Sequence, residues 1–267
     1  MATFDQQSIY IKDLPSSLAK MGFQFYQSKN IEDGLVTLPA FTGVRINFIF
    51  DGKSVASGVL KSGDLMIAGY TDSPLYGNVY NFSMASIGIH FSLFYYLTGL
   101  FPRQCRIPYK VPENSRIYSD LVPFFFLPRE NWDSHALSII KKNQLVLNKV
   151  VIKQMERVSL ATQLYGYNQM KGFQDISNEL GISYRQLQRD FHAFLGMTPS
   201  QYERLLRYQV AALNIKNTSI IEVALSSGYY DQAHMIREFK KFSDKTPRQI
   251  AELNDITVPF VDRKIDL

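Results

Sequence analysis

FQDISNELGISYRQLQRDF (residues 173–191) and IIEVALSSGYYDQAHMIREFKKF (residues 220–242) each read as helix, tight turn, helix, and the rest of the chain is organised around them. In the first stretch Ile176 and Leu180 form an apolar pair on a short helix. Gly181 takes the corner, where a left-handed backbone costs glycine least. Ser183 follows as the N-cap of the next helix, its hydroxyl able to accept from an orphan amide. There Leu187, Phe191 and Phe194 recur at i, i+4 and i+7 and face inward, which leaves Arg185, Gln188, Arg189 and His192 outward. The second stretch repeats this order: Val223 and Ala224, corner Gly228, cap Asp231, inward Met235, Phe239 and Phe242, outward Gln232, Arg237, Lys240 and Lys241.

One glycine-cornered hairpin is a weak signal, since any helical hairpin produces it; two copies, each closed by G-x-T-P or D-K-T-P, are specific. The segment between them, TPSQYERLLRYQVAALNI, starts with Thr198 as cap and Pro199 in the first turn. Tyr202, Leu205, Leu206, Val210 and Leu213 keep helical spacing. At about 1.5 Å per residue this helix separates the two units by roughly one turn of DNA. The texts LGISYRQLQRDFHAFLGMTPSQYERLLR and IIEVALSSGYYDQAHMIREFKKFSDKTPRQI resemble the DNA-binding domain of the AraC/XylS family of bacterial transcription regulators. The resemblance implies an all-α double helix-turn-helix domain over residues 171–267, with double-stranded DNA as partner.

Carried over position by position, the resemblance implies a DNA-contact set of Ser183, Tyr184, Arg185, Gln188 and Arg189 in the first unit and Asp231, Gln232, His234, Arg237 and Lys240 in the second. Arginine can pair bidentately with the O6/N7 edge of guanine, and glutamine with the N6/N7 edge of adenine. Ile236 lies where some relatives place a polar contact, and Glu238 is expected to oppose close phosphate approach by the neighbouring lysines. Arg207 matches a family arginine and reads better as an ion pair with Glu203 or Glu222. The connection KNTSI (216–220) is a residue or two shorter than in many family members.

Ahead of this, GFQFYQ (22–27), VRINFIF (44–50), DLMIAGY (64–70), VYNFSMA (79–85) and IGIHFSL (87–93) are β-branched and aromatic runs with turn punctuation between them. Glu32-Asp33-Gly34 and Asp51-Gly52 are tight-turn candidates. Short strands at this spacing predict a small antiparallel barrel or sandwich, giving an α+β chain. LVTLPAFTGVRINFIFDG, GDLMIAGYTDSPLY and IGIHFSLFYYLTGLFPRQ look like the sensor found beside the same DNA-binding subgroup, which implies a cupin-like fold for residues 1–130 and an effector or dimerisation role. FSLFYYLTGLF turns toward a helix that Pro102 stops, and Phe124-Phe125-Phe126 reads as buried packing. Residues 131–170 read as a helical connector: Ser134 caps a helix over HALSIIKKNQLVLN, and VVIKQMERVSLATQLYGYN forms the next.

With 267 residues, 46% of them apolar, the chain can bury a sizeable core in two domains. A net charge of +5 permits an anionic partner without proving one. Cys105 is the only cysteine, so there is neither a disulfide framework nor a zinc knuckle, and a reducing cytoplasm fits. The opening MATFDQQSIYIKDLP lacks the build of a signal peptide, and IGIHFSLFYYLTGLF is too short and too polar for a membrane span.

Enzyme readings fail for want of residues. A metal-dependent cupin enzyme needs two or three histidines with a carboxylate; before the helical segment there is only His90, which reads as a hydrogen-bonded core residue, so no metal and no cofactor is expected. Cys105, beside Arg103 and Arg106, could have a lowered pKa, but a DNA-repair methyl acceptor needs a cysteine cluster that is absent. Two functions stay open: a sequence-specific transcription regulator modulated by a small molecule or partner, or a ligand-binding or protein-interaction module whose helical domain has lost specific DNA binding. RNA polymerase as partner and a monomeric or homodimeric state are left open. The dominance of tyrosine and phenylalanine over residues 70–130 favours an apolar or aromatic effector, or none.

Overall fold

The computed structural model describes residues 7–10, 22–31, 33–55, 59–143, 149–167, 171–215 and 218–252. Most of the opening segment, Glu32 of the first turn, Lys216 and Asn217 of the short connection, and the expected tail at 255–267 lie outside the described residues.

Among the described residues, eight antiparallel strands form the N-terminal sheet: β1 Gln7–Tyr10, β2 Gly22–Ile31, β3 Gly34–Leu38, β4 Val44–Val55, β5 Val59–Lys61, β6 Leu65–Ala68, β7 Leu75–Ile89 and β8 Tyr109–Val111. Their order is β1-β2-β7-β4-β6-β8, with β3 beside the start of β7 and β5 beside the end of β4. Among the described residues the sheet does not close, so the expected barrel or sandwich takes the form of an open, cupin-like sandwich. The long pair β4·β7 is its spine. Register shifts between Ile49 and Lys53 bend β4, and Gly52 sits in the bend with φ +75°. A Cβ at Gly52 would lie 2.1 Å from the Asn81 carbonyl oxygen, so the bend requires glycine.

Val44 to Ile49 are buried without a break, as expected of a strand covered on both faces. Val44, Ile46 and Phe48 join the main core, whereas Ile49 joins Leu60, Val79 and Phe82 in a second cluster. The main core continues through α1 Phe91–Thr98, α2 Arg116–Leu121, α3 Trp132–Asn143 and α4 Lys149–Tyr167. It then runs without interruption into α5 Phe173–Glu179, α6 Tyr184–Leu195, α7 Pro199–Asn214, α8 Ile220–Ser226, α9 Gln232–Ser243 and α10 Pro247–Ala251.

Three local expectations are corrected. Helix α3 begins at Trp132, and the Ser134 hydroxyl donates to the Asn131 carbonyl oxygen instead of capping. The turn Arg129–Asn131 already winds in the helical sense, so no side-chain cap is needed to start the helix. The phenylalanine run divides: Phe124 is buried edge-on to Trp132, while Phe126 is 63% exposed, with its ring against Phe48 and Phe50. Burial pushes the Cys105 thiol up to about 11. Its arginine neighbours are engaged elsewhere, Arg103 over the Phe101 ring and Arg106 on Asp72.

Aromatic rings and hydrogen bonds seat the helical domain on the sheet domain. Phe194 of α6 meets Tyr95 and Phe101 edge-on, at 5.8 and 5.1 Å between ring centres. Arg106 donates to the Gly196 carbonyl oxygen and to Asp72 Oδ1, both at 3.0 Å. The Ala40 amide donates to the Phe242 carbonyl oxygen at 2.7 Å, and Thr42 Oγ1 donates to Gln209 Oε1 at 2.7 Å. Gly196 ends α6 with φ +71°, and a Cβ there would press on Arg103 Cβ at 3.1 Å and Arg106 Cδ at 3.2 Å.

Two stability predictions follow from this arrangement. Gly181 and Gly196 both have positive φ, but Gly181 has no atom within 4 Å of a built Cβ. Gly181→Ala should therefore cost about 1–2 kcal/mol of backbone strain, and Gly196→Ala distinctly more; denaturant melts giving equal losses would show that the docking arginines yield freely. The second prediction concerns His90, which caps α1: its Nδ1 accepts from the Ser92 amide, and burial lowers its pKa to about 3. The unfolded chain takes up this proton near pH 6.5 and the folded one does not. The contribution is thus whole above that value and is lost as pH falls from there toward 3. His90→Asn, a cap that does not titrate in this window, should flatten that part of the Tm-against-pH curve.

Candidate nucleic-acid interface

The helical domain is built from the same three-helix unit twice: α4, α5 and α6, then α7, α8 and α9. In each, a short helix ends at a glycine with positive φ, Gly181 at +66° and Gly228 at +74°. The next helix starts on a side-chain cap. The Ser183 hydroxyl accepts from the Gln186 amide at 3.2 Å, and Asp231 Oδ1 accepts from the His234 amide at 2.6 Å. Thr198 and Thr246, each followed by proline, make complete capping boxes with Gln201 and Gln249.

Aromatic packing fixes how each second helix lies. Phe191 of α6 meets Phe173 at 5.1 Å and Tyr202 at 5.8 Å. In the second unit Tyr208 of α7 contacts Phe239 and Phe242 of α9 at 5.0 and 5.3 Å. Rings of this size exclude water and hold the helix by one stripe, which leaves the opposite stripe to solvent.

That solvent stripe carries most of the sequence-predicted contact residues. Arg185 and Arg189 are exposed on α6 and Gln188 is half-buried; Gln232, Arg237 and Lys240 are exposed on α9. Four others are placed differently. Ser183 and Asp231 are committed to capping, Tyr184 packs against the core, and His234 is turned toward Glu238 at 3.7 Å and lies edge-on to Tyr229.

Sequence reasoning missed a buried carboxylate at the seventh position of both helices. Asp190 is 1% exposed and Glu238 2%. Arg157 of α4 reaches Asp190 Oδ2 through Nε at 2.8 Å and Nη2 at 2.7 Å, and Arg204 of α7 reaches Glu238 Oε1 through Nε at 2.6 Å. Each unit thus ties its exposed helix to the helix two before it by a charge-assisted hydrogen bond, the kind that offsets the desolvation of a buried carboxylate. Glu238 consequently lies under α9 and away from the lysines, which corrects the expectation that it opposes phosphate. The available signal was its place on the apolar stripe, three residues after Met235, matched by Asp190 three after Leu187. Arg207 pairs with Glu203 at 3.4 Å and covers the Tyr229 ring, in line with its structural reading. Burial and the Glu238 carboxylate hold the Tyr229 hydroxyl far above the usual tyrosine range.

Among the described residues, no group of three or more His, Cys, Asp or Glu side chains is placed to hold a metal ion, and no helix is long and apolar enough to cross a membrane.

Comparison with known proteins agrees with this geometry. The family model for a helix-turn-helix domain matches residues 176–252. The probable transcription factor PqrA of Proteus vulgaris is 38% identical over 95 residues, 35% of this chain and 77% of PqrA. The HTH-type transcriptional regulator ArgR of Pseudomonas aeruginosa is 35% identical over 77 residues, 28% of this chain but only 23% of ArgR. ToxT from Vibrio cholerae O395 shares the two-part architecture, with a TM-score of 0.51 at 13% identity over 87% of this chain and 97% of ToxT. With two capped units, their exposed basic stripes and a relative matched over most of its length, the chain belongs to the AraC/XylS-type family of DNA-binding transcription regulators.

Proposed function

We propose that the chain regulates transcription by laying α6 and α9 into successive major-groove faces of an operator. Arg185, Gln188 and Arg189 of the first helix and Gln232 and Arg237 of the second read base edges, and Lys240 and Lys241 contact phosphate. The observation that carries this reading is the solvent-facing polar stripe on both helices of a duplicated unit, each held from behind by aromatic packing and a buried ion pair. Ser183 and Asp231 contribute by presenting helix N-termini, and His234 contributes through its contact with Glu238. RNA polymerase is the natural partner of such a regulator, and the cytoplasm its compartment.

Regulation is proposed to enter through the sheet domain, by a small molecule. ToxT has been solved with an unsaturated fatty acid bound. In this chain the cross-strand partners Asn47 and Ser86 share a sheet face with Met66, Met84 and Ile49. Among the described residues, Asn47 Oδ1 and Ser86 Oγ are buried without a hydrogen-bond partner. An apolar molecule with one hydrogen-bonding end suits that face, since unpaired buried polar atoms gain most from such a ligand.

In vitro selection of DNA from a random pool tests the main reading; recovery of no enriched motif by the full chain would refute it, and the lost-function module would take its place. The selected site should also be bound by a purified fragment covering 149–252, which keeps α4 and the Arg157–Asp190 tie, and not by one covering 1–130. On that site, Arg185→Ala and Arg237→Ala should each lose roughly 1–3 kcal/mol of discrimination between the selected base and its alternatives. Lys240→Ala and Lys241→Ala should weaken all sequences alike and reduce the salt slope by about one per lost phosphate contact. Equal losses on every sequence for both arginine variants would make those arginines backbone clamps, with specificity arising from the glutamines or from DNA shape.

A further inference from the structure

The two units share a buried carboxylate and its arginine, but they differ in what the carboxylate does next. In α6 the second oxygen of Asp190, Oδ1, accepts from Gln186 Nε2 at 2.8 Å. The other end of that amide, Gln186 Oε1, accepts from Arg189 Nη2 at 2.6 Å. A continuous chain therefore runs from Arg157 on α4 through Asp190 and Gln186 to the exposed guanidinium of Arg189. Asp190 is held at its base with 1% exposure, so the chain starts from a fixed point.

The polarity of the chain leaves one arrangement. A carboxylate accepts only, so Gln186 must turn its NH2 toward Asp190, and its carbonyl oxygen is then directed at the arginine. Glutamate at 186 would repel Asp190, while lysine or arginine there would repel Arg189. In α9 the same three positions hold His234, Arg237 and Glu238. His234 approaches Glu238 Oε1 at 3.7 Å, and no contact between His234 and Arg237 completes the series among the described residues.

We infer that Gln186 is a positioning residue for Arg189, fixing from α4 the direction in which its guanidinium meets the operator. Preorganising a donor reduces the side-chain entropy lost on binding and penalises the wrong base, because a held guanidinium cannot swing to another acceptor. The inference rests on Arg189 being a DNA contact, as proposed above. It adds that recognition through Arg189 is stricter than through Arg237, whose guanidinium lacks this support.

The test uses the full chain, its selected operator, single-base variants of the pair read by Arg189, and unrelated DNA. Gln186→Met keeps the length of the side chain and removes both hydrogen bonds. It should reduce discrimination at that base pair roughly three- to tenfold, the size expected for coupled neighbours, with affinity for unrelated DNA unchanged and the thermal midpoint lowered, because Asp190 Oδ1 loses its donor. In an Arg189→Ala background the same change should alter discrimination by less than about twofold, since the coupled partner is gone.

Asp190→Asn provides a second route. If its oxygen stays on Arg157, its NH2 faces Gln186, which must invert and present its own NH2 to Arg189. Discrimination should fall as with Gln186→Met. Additive effects of Gln186→Met and Arg189→Ala, or a Gln186→Met protein that discriminates like wild type, would overturn the positioning role while leaving Arg189 as a contact. An Arg189→Ala protein with unaltered binding would instead remove the contact reading itself, and the inference with it.

Discussion

Both exposed helices are fixed at their C-terminal ends to the sheet domain, and the orientation of every solvent-facing side chain they carry depends on that constraint. Arg106 holds the carbonyl of Gly196 at the end of α6, and the amide of Ala40 holds the carbonyl of Phe242 near the end of α9. These carbonyls belong to the last turn, where a helix has no partner of its own to offer. The sheet domain satisfies them from outside. Rotation of either helix about its axis would break a hydrogen bond and pull an aromatic ring, Phe194 or Phe242, out of its packing. Under the proposed regulation, a molecule held on the sheet face would act on helices whose ends are already tethered to the sheet domain.

Inside each unit a second requirement must be met with few residues. The helix needs enough apolar surface to stay down, and its polar stripe must stay clear of competing contacts. In α6 and α9 this is met by Leu187, Phe191 and Phe194 and by Met235, Phe239 and Phe242, with one buried carboxylate in each. A buried ion pair adds little to stability compared with apolar packing, but it accepts one orientation only. That distinguishes it from the rings, which tolerate sliding along the stripe.

Much of this was legible in the sequence because the signals are local. Ser183, Thr198 and Asp231 cap the helices they precede, and Gly181 and Gly228 take the left-handed corners, since caps and corners are set within three or four residues. The strands at 44–50, 64–70 and 79–85 followed from their β-branched and aromatic runs. What escaped was set by distant partners. Glu238 looked like an exposed charge beside two lysines because Arg204 lies 34 positions away. Cys105 looked activated because its flanking arginines are visible in the sequence, whereas Asp72, which draws one of them off, is not its neighbour there. The phenylalanine run at 124–126 looked uniform, but a 3-10 turn sends successive rings in different directions, inward for Phe124 and outward for Phe126.

The two anchors on the sheet are written in different materials. Arg106 is a side chain, and one nucleotide change can delete it; the bond between Ala40 and Phe242 joins main-chain groups and survives any replacement of either residue that keeps the backbone path, proline at 40 excepted. Over evolutionary drift the hydrogen-bonded anchor of the first unit can therefore be lost by a single substitution, leaving Phe194 against Tyr95 and Phe101, while the main-chain anchor of the second persists. Of the two anchors, the one on α6 is therefore the more readily altered by mutation.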